Sequence, residues 1–317
     1  MPSNSSASRW QVIVAFACIY FLWGGSFLAI RYSLETIPTF MISGIRFTCA
    51  GLILIGLGWR SGAARPSTSE WRAAALLGFV MFFLANGALV IAEHLIPSGL
   101  AATLYATLPF WIALLGWWWQ GEARPDRRMI GGLALGFAGV VLMFNPFGQG
   151  ASLNPTGGLL VLFSAFSWGA GSLLSRRVPK PTSTLLASGM NLFCAGIMFL
   201  VVSAIIGEWG QVKLSAVSLK SVLSLVYLIV GSSTLAFSAY MWLMNVTTPN
   251  RVATYAYVNP VVALILGAWA GNEVLTTIEI IAAGVIIAAV IILTTARKPS
   301  PPLKQVISPT LSTEHVT

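Results

Sequence analysis

The side chains able to do chemistry in this sequence are few, and they fall into isolated charges and scattered aromatic, hydroxyl and amide groups. Glu93 and His94 are adjacent, an acid beside an imidazole that titrates near neutrality, so the pair is a candidate for proton coupling or else a solvated helix end. Arg46 stands alone in an apolar run, about eight residues or roughly 12 Å from its end at 1.5 Å per residue. A charge at that depth costs several kcal/mol unless paired or wetted, which makes it a coupling candidate whose alternative is anchoring by snorkelling or by carbonyls. The second group comprises Trp23, Ser26, Asn86, Thr103, Tyr105, Trp168, Ser172, Tyr240, Tyr255, Tyr257 and Asn259. Buried amides and phenols need partners, which in an apolar medium are neighbouring helices or a bound solute. As substrate-binding residues they predict a pocket with aromatic walls and few fixed charges. Such a pocket suits a neutral, zwitterionic or amphipathic solute better than a multiply charged phosphate ester.

Other chemistries find little support. Two histidines, His94 and His315, do not assemble a metal site or a catalytic constellation, and there is no Gly-rich Lys-Ser/Thr loop for a nucleotide. No metal or other cofactor is expected. Cys18, Cys49 and Cys194 all lie in apolar runs and read as small packing residues.

The elements that hold these residues are membrane helices. The 317 residues are 56% hydrophobic and 9% charged, against about 25% charged in ordinary soluble domains. Apolar runs at 11–31, 38–58, 72–93, 98–119, 128–146, 156–175, 183–206, 219–245, 252–271 and 275–296 each approach the ~20 residues a helix needs to cross the hydrocarbon core. Their continuity argues against a barrel, whose strands would alternate apolar and polar residues. The expected fold is thus an all-α integral membrane protein of ten spans. Residues 1–10 and the Pro- and Ser/Thr-rich residues 297–317 read as tails, the latter disordered.

The chain is also a tandem duplication. At an offset of 145, Phe21, Trp23, Gly24, Leu28, Arg31, Thr39, Ser43, Gly44, Cys49, Ala50 and Gly51 meet Phe166, Trp168, Gly169, Leu173, Arg176, Thr184, Ser188, Gly189, Cys194, Ala195 and Gly196. Chance would supply about three of these. Two five-span units, 11–146 and 156–296, follow, and an odd span number inverts the second relative to the first. With both tails cytoplasmic, the inner segments carry all Lys and Arg except Arg31, Lys213 and Lys220 outside and Arg46 within a span. That bias fixes the orientation and explains the net charge of +9 without a nucleic-acid partner.

At an offset of 151, Pro109 and Glu122 meet Pro260 and Glu273. Each proline removes the donor for a carbonyl one turn earlier, near Tyr105 or Ala256, and is expected to bend its helix at the transport pathway. Each glutamate precedes the last helix of its half, where it is expected to cap that helix or to latch a gate.

The stretches "LWGGSFLAIR" and "PTFMISGIRFTCAGLIL", with "GE…GG…GFAGVVLM" and its counterpart "NE…AAGVIIAAVI", resemble the EamA repeats of the drug/metabolite transporter superfamily. "AEHLIPSGLAAT" and "ATYAYVNPVVALILG" resemble that superfamily's small bacterial metabolite exporters. The resemblance implies ten helices around a central cavity walled mostly by the first, third, fourth, sixth, eighth and ninth. It implies export of a small metabolite, amino acid or drug-like solute across the cell membrane by alternating access, with solute and lipids as partners. An importer or exchanger on the same fold and an integral-membrane transferase are the competing expectations, and oligomeric state stays open. Asn191 stands where a second arginine would match Arg46, so no role needing two arginines is expected.

Overall fold

The computed structural model describes residues 8–121, 127–144, 154–247, 252 and 254–296. Its main helices are α1 (Arg9–Leu34), α2 (Thr39–Arg60), α3 (Thr68–Ala92), α4 (Ser98–Gln120), α5 (Arg127–Phe144), α6 (Pro155–Leu174), α7 (Thr184–Ile205), α8 (Leu219–Leu243), α9 (Tyr255–Trp269) and α10 (Thr277–Ala296). No strand occurs among the described residues. Seven helices, α1 to α4 and α6 to α8, are each long and apolar enough to cross a bilayer. The apolar stretches within α9 and α10 are shorter, Val258–Trp269 and Thr277–Ile292. Several starts are written in the sequence as side-chain caps. Ser67 with Glu70 forms a capping box on α3, while Asn154, Ser183 and Ser218 accept from Gly157, Leu186 and Ser221 at the starts of α6, α7 and α8.

The two halves pack by exchange. Repeat mates α2 and α7 lie on each other, as do α4 and α9, and α5 and α10; α1 packs on α8 while their mates α6 and α3 pack together. Swapping the halves therefore maps each contact onto another. The α2–α7 seam shows the sense of the operation. Gly44 abuts Leu200, Gly51 abuts Phe193 and Gly189, and Gly58 abuts Leu186, so the mates run antiparallel. The repeated glycines are what permits this approach. A Cβ on Gly196 would stand 2.4 Å from the Thr48 amide nitrogen, and one on Gly51 would stand 2.6 Å from that of Phe193. In an apolar medium such small residues let helix backbones gain dispersion contacts that larger side chains would block.

Helix interruptions agree with the sequence expectation in α4 and depart from it in α9. α4 does break, at Ala106–Thr107, and Pro109 sits in the first turn of its second segment, where a missing N–H costs nothing. α9 runs unbroken through Pro260. The interruptions that do mirror each other are π-helical turns in the mates α3 and α8, at Gly78–Leu84 and Tyr227–Ala236, and a third lies in α1 at Cys18–Leu22. Wide turns loosen the backbone ladder, and neighbouring side chains take up the carbonyls. Ser167 Oγ donates to Val80 O (2.7 Å) and Ser164 Oγ to Ala85 O (2.6 Å). Trp23 Nε1 donates to Ser232 O (3.0 Å), and the Tyr227 hydroxyl donates to Phe21 O (3.1 Å) and Leu22 O (3.0 Å).

Candidate functional site

Between the halves lies a cavity of about 570 Å³ whose lining comes from α1, α3, α4, α6, α8 and α9 and also from α2 and α7. Its lining extends to the exposed Arg176 and Lys180 at one end of the bundle, where it opens. Towards the other end it stops beneath Phe27, Ile30 and Leu89, which are buried. Of the two helix pairs that the family resemblance leaves out of the wall, α2 and α7 contribute polar groups to it: Arg46 from α2, and Ser188 and Asn191 from α7.

Of the predicted binding residues, Trp23, Ser26, Asn86, Tyr105, Trp168, Ser172, Tyr240, Tyr255 and Asn259 line this cavity. Trp23 forms a cluster with Tyr240 and Tyr255, ring centroids 5.4 and 5.1 Å away, and Trp168 packs edge-on against Phe82 at 5.0 Å. The hydroxyls of Ser26 and Ser172 return to carbonyls of their own helices, at Trp23 and Trp168. Asn86 Nδ2 donates to Ser43 Oγ at 2.7 Å. The amide of Asn259, turned so that its nitrogen faces α1, reaches Ile19 O (3.3 Å) and Tyr20 O (3.2 Å) in the π turn. Thr103 departs from expectation. It is fully buried, its hydroxyl donates to Gly99 O (2.9 Å), and it is absent from the wall because it faces neighbouring helices. The Tyr257 side chain and Glu122 lie outside the described residues. Pro260 touches the cavity and Pro109 does not.

The closed end is organised by Glu273, whose side chain is 1% exposed. It does not cap α10, the last helix of its half. Thr276 and Glu279 cap that helix reciprocally, Thr276 N donating to Glu279 Oε2 at 2.7 Å. Glu273 instead accepts from Ser98 N (2.8 Å), Ser98 Oγ (2.7 Å) and Gly99 N (3.0 Å), capping α4, and pairs with Arg31 Nη1 at 2.8 Å. One carboxylate thus joins α1, α4 and the α9–α10 connection through charge-assisted bonds to otherwise unpaired helix-start amides. Tyr32 adds a hydroxyl bond to Ala270 O. Glu208, which the sequence reading passed over, does the same for α2, accepting from Phe40 N (3.1 Å) and Met41 N (2.9 Å). Its only sequence signal is an acid in a short connection.

Glu93 and His94 separate. His94 shares a hydrogen bond with Thr39 Oγ1 at 2.9 Å on the surface. Glu93 is 4% exposed and neither of its carboxylate oxygens has a hydrogen-bond partner, so it is not a solvated helix end. Burial pushes its carboxyl well above the ordinary carboxylate range; nearby Glu273 pushes the same way and Arg31 opposes. Above it lies a vestibule of about 330 Å³ that Arg31, Glu35 and His94 also line.

Arg46 does not snorkel. It is 8% exposed, its Nε donates to Ser233 Oγ (2.8 Å) and Nη2 to Ser232 Oγ (3.1 Å), and its guanidinium lies 4.9 Å from the centre of the Phe47 ring. Both serines belong to the π turn of α8.

A family profile described as the EamA-like transporter family matches residues 10–145 and again 155–295. The "uncharacterized inner membrane transporter YedA" of Escherichia coli (strain K12) is 34% identical over 299 residues, covering 94% of each chain. A "probable amino-acid metabolite efflux pump" of the same strain is 26% identical over 270 residues, 83% of this chain and 87% of its own. A solved crystal structure, 21% identical, superposes with a TM-score of 0.62 over 91% of this chain and 99% of the other, which shows a shared fold.

Proposed function

This chain belongs to the EamA-like transporter family, and from that premise we propose that it exports a small metabolite, amino acid or drug-like solute by alternating access. In this reading all ten helices cross the bacterial inner membrane as two inverted repeats, 11–146 and 156–296, with residues 1–10 and 297–317 in the cytoplasm. The excess of Lys and Arg at the Arg176 end makes that end cytoplasmic. The observation that carries the proposal is the asymmetry of the cavity: it opens at the Arg176 end, while Glu273 ties the opposite end shut. That is the form a carrier has when loading from the cytoplasm. Rocking the halves about the antiparallel α2–α7 seam would open the Arg31 end, with the π turns of α3 and α8 as the deformable segments.

The name of the efflux-pump relative supports the outward direction. Glu93 supports coupling to protons, because a buried carboxyl without hydrogen bonds, beside the Arg31–Glu273 pair, exchanges a proton as that pair parts. His94, held by Thr39 at the surface, is its neighbour in the vestibule and not its relay.

The test is a resistance screen: cells producing the chain are challenged with toxic amino acids, analogues and dyes, and the protective solute is then followed in proteoliposomes. Saturable flux driven by an imposed pH gradient is the expected result. Absence of flux across the panel together with turnover of a lipid substrate would point to a membrane enzyme instead.

A further inference from the structure

The cavity holds a charge that the proposed solute must answer. Arg46 is a buried cation in the cavity wall, and its partners, Ser232 and Ser233, are neutral. Among the described residues no carboxylate pairs with it. A guanidinium has five N–H donors, and the two serines engage only two of them. Taking an ionised group out of water is costly unless a counter-charge compensates, so an unpaired arginine at this depth is an incomplete site.

The surroundings define what completes it. Ser232, which accepts from Arg46 through its hydroxyl, also accepts from the Trp23 indole through its carbonyl, so the cation and the Trp23–Tyr240–Tyr255 cluster share one turn of α8. An anionic head at Arg46 would therefore place an apolar body against aromatic rings. The repeat supplies the valence: Asn191, the mate of Arg46, lines the same cavity, and so the symmetric position offers an amide in place of a second cation. A dianion would leave one charge uncompensated in the low-dielectric interior. A planar guanidinium with free N–H groups matches a carboxylate in bidentate geometry. Resting on the export reading above, we propose that Arg46 is the substrate-carboxylate anchor of the cavity and that the solute is a monocarboxylate with an apolar or aromatic body.

Equilibrium dialysis of the full chain in detergent tests this with two radiolabelled probes of equal shape, 3-phenylpropionate and 3-phenylpropionamide. The acid is expected to bind at least tenfold more tightly than the amide. In Arg46→Gln that preference disappears, with amide binding retained. Arg46→Lys, which keeps the charge and loses the fork, retains the preference at reduced strength and covers the case in which the glutamine variant fails to fold. The double variant Ser232→Ala/Ser233→Ala weakens acid binding several-fold and leaves amide binding as it was. Equal binding of acid and amide, an unchanged preference in Arg46→Gln, or no saturable binding of either probe would overturn the proposal. Dialysis needs no flux, so acid-selective binding by a chain that moves nothing would sink the transport reading and leave this one standing.

Discussion

At one end of the bundle Arg31 holds the last turns of α1 to a buried carboxylate that also caps α4, and at the other its repeat mate Arg176 borders the cavity mouth beside Lys180. The two positions come from one ancestral residue, yet the first helps seal the bundle and the second stands where it opens. The difference teaches where a duplicated fold stores its asymmetry. Helix packing is exchanged faithfully between halves, from the α2–α7 glycine seam to the π turns of α3 and α8. The end connections carry the distinction, through the donors that one glutamate can gather.

The sharpest way to break this comparison is Glu273→Gln. Loss of a buried charge that bonds two amides, a hydroxyl and Arg31 costs roughly 2–3 kcal/mol, at the low end because the Arg31 side chain is 39% exposed. The sealed end should then open, and an Ile30→Cys reporter should react with an impermeant maleimide applied from the Arg31 side roughly tenfold faster than in the parent. Unchanged labelling would mean that the latch does not hold that end.

The seam should resist even a methyl group. Gly196→Ala is expected to cost about 1–3 kcal/mol, since the neighbouring atom is the Thr48 backbone nitrogen and cannot swing aside. Gly56→Ala on α2, the helix that carries Thr48, meets nothing within 4 Å and should leave thermal unfolding unchanged or slightly raised. Equal melting temperatures for the two variants would contradict the packing argument.

Glu93 extends the comparison to pH. Its folded pKa is raised, so between the ordinary carboxylate value near 4.5 and the raised value the folded chain holds more protons than the unfolded one. Stability therefore falls as pH rises through that window, by up to about 1.4 kcal/mol per pH unit. Glu93→Gln should flatten the profile measured by thermal unfolding and reduce flux driven by a pH gradient. A parent profile with no slope in that window would remove Glu93 from the coupling scheme.

Pro260→Ala should have the smallest effect, a two- to fivefold loss of flux at normal protein level, because α9 already runs through the proline and gains only one backbone bond at Ala256. Wild-type flux would show the proline to be passive.

Much of the fold was legible because it is written in residue type. Apolar runs and the duplicated glycines each have a local physical cause. The wall of the cavity was largely legible too, since polar groups within apolar helices must find partners. Thr103 was misplaced because a threonine bonding its own helix looks the same in sequence as one facing a solute. The π turns carry no residue signature, and the prolines drew attention to mates that differ. Glu208 and Glu273 act on helices far away in sequence, and only the folded chain reveals which amides each one meets.

The central claim is that two inverted repeats enclose a cavity reached from alternate sides. It is tested most directly by the sidedness of single cysteines at Glu35 and Thr182, both exposed, in a chain whose native cysteines Cys18, Cys49 and Cys194 have been replaced. Impermeant maleimide added to intact cells should label Glu35→Cys and spare Thr182→Cys, with the pattern reversed in inside-out vesicles. Labelling of both positions from the same side would contradict the inverted arrangement and the transport cycle built on it.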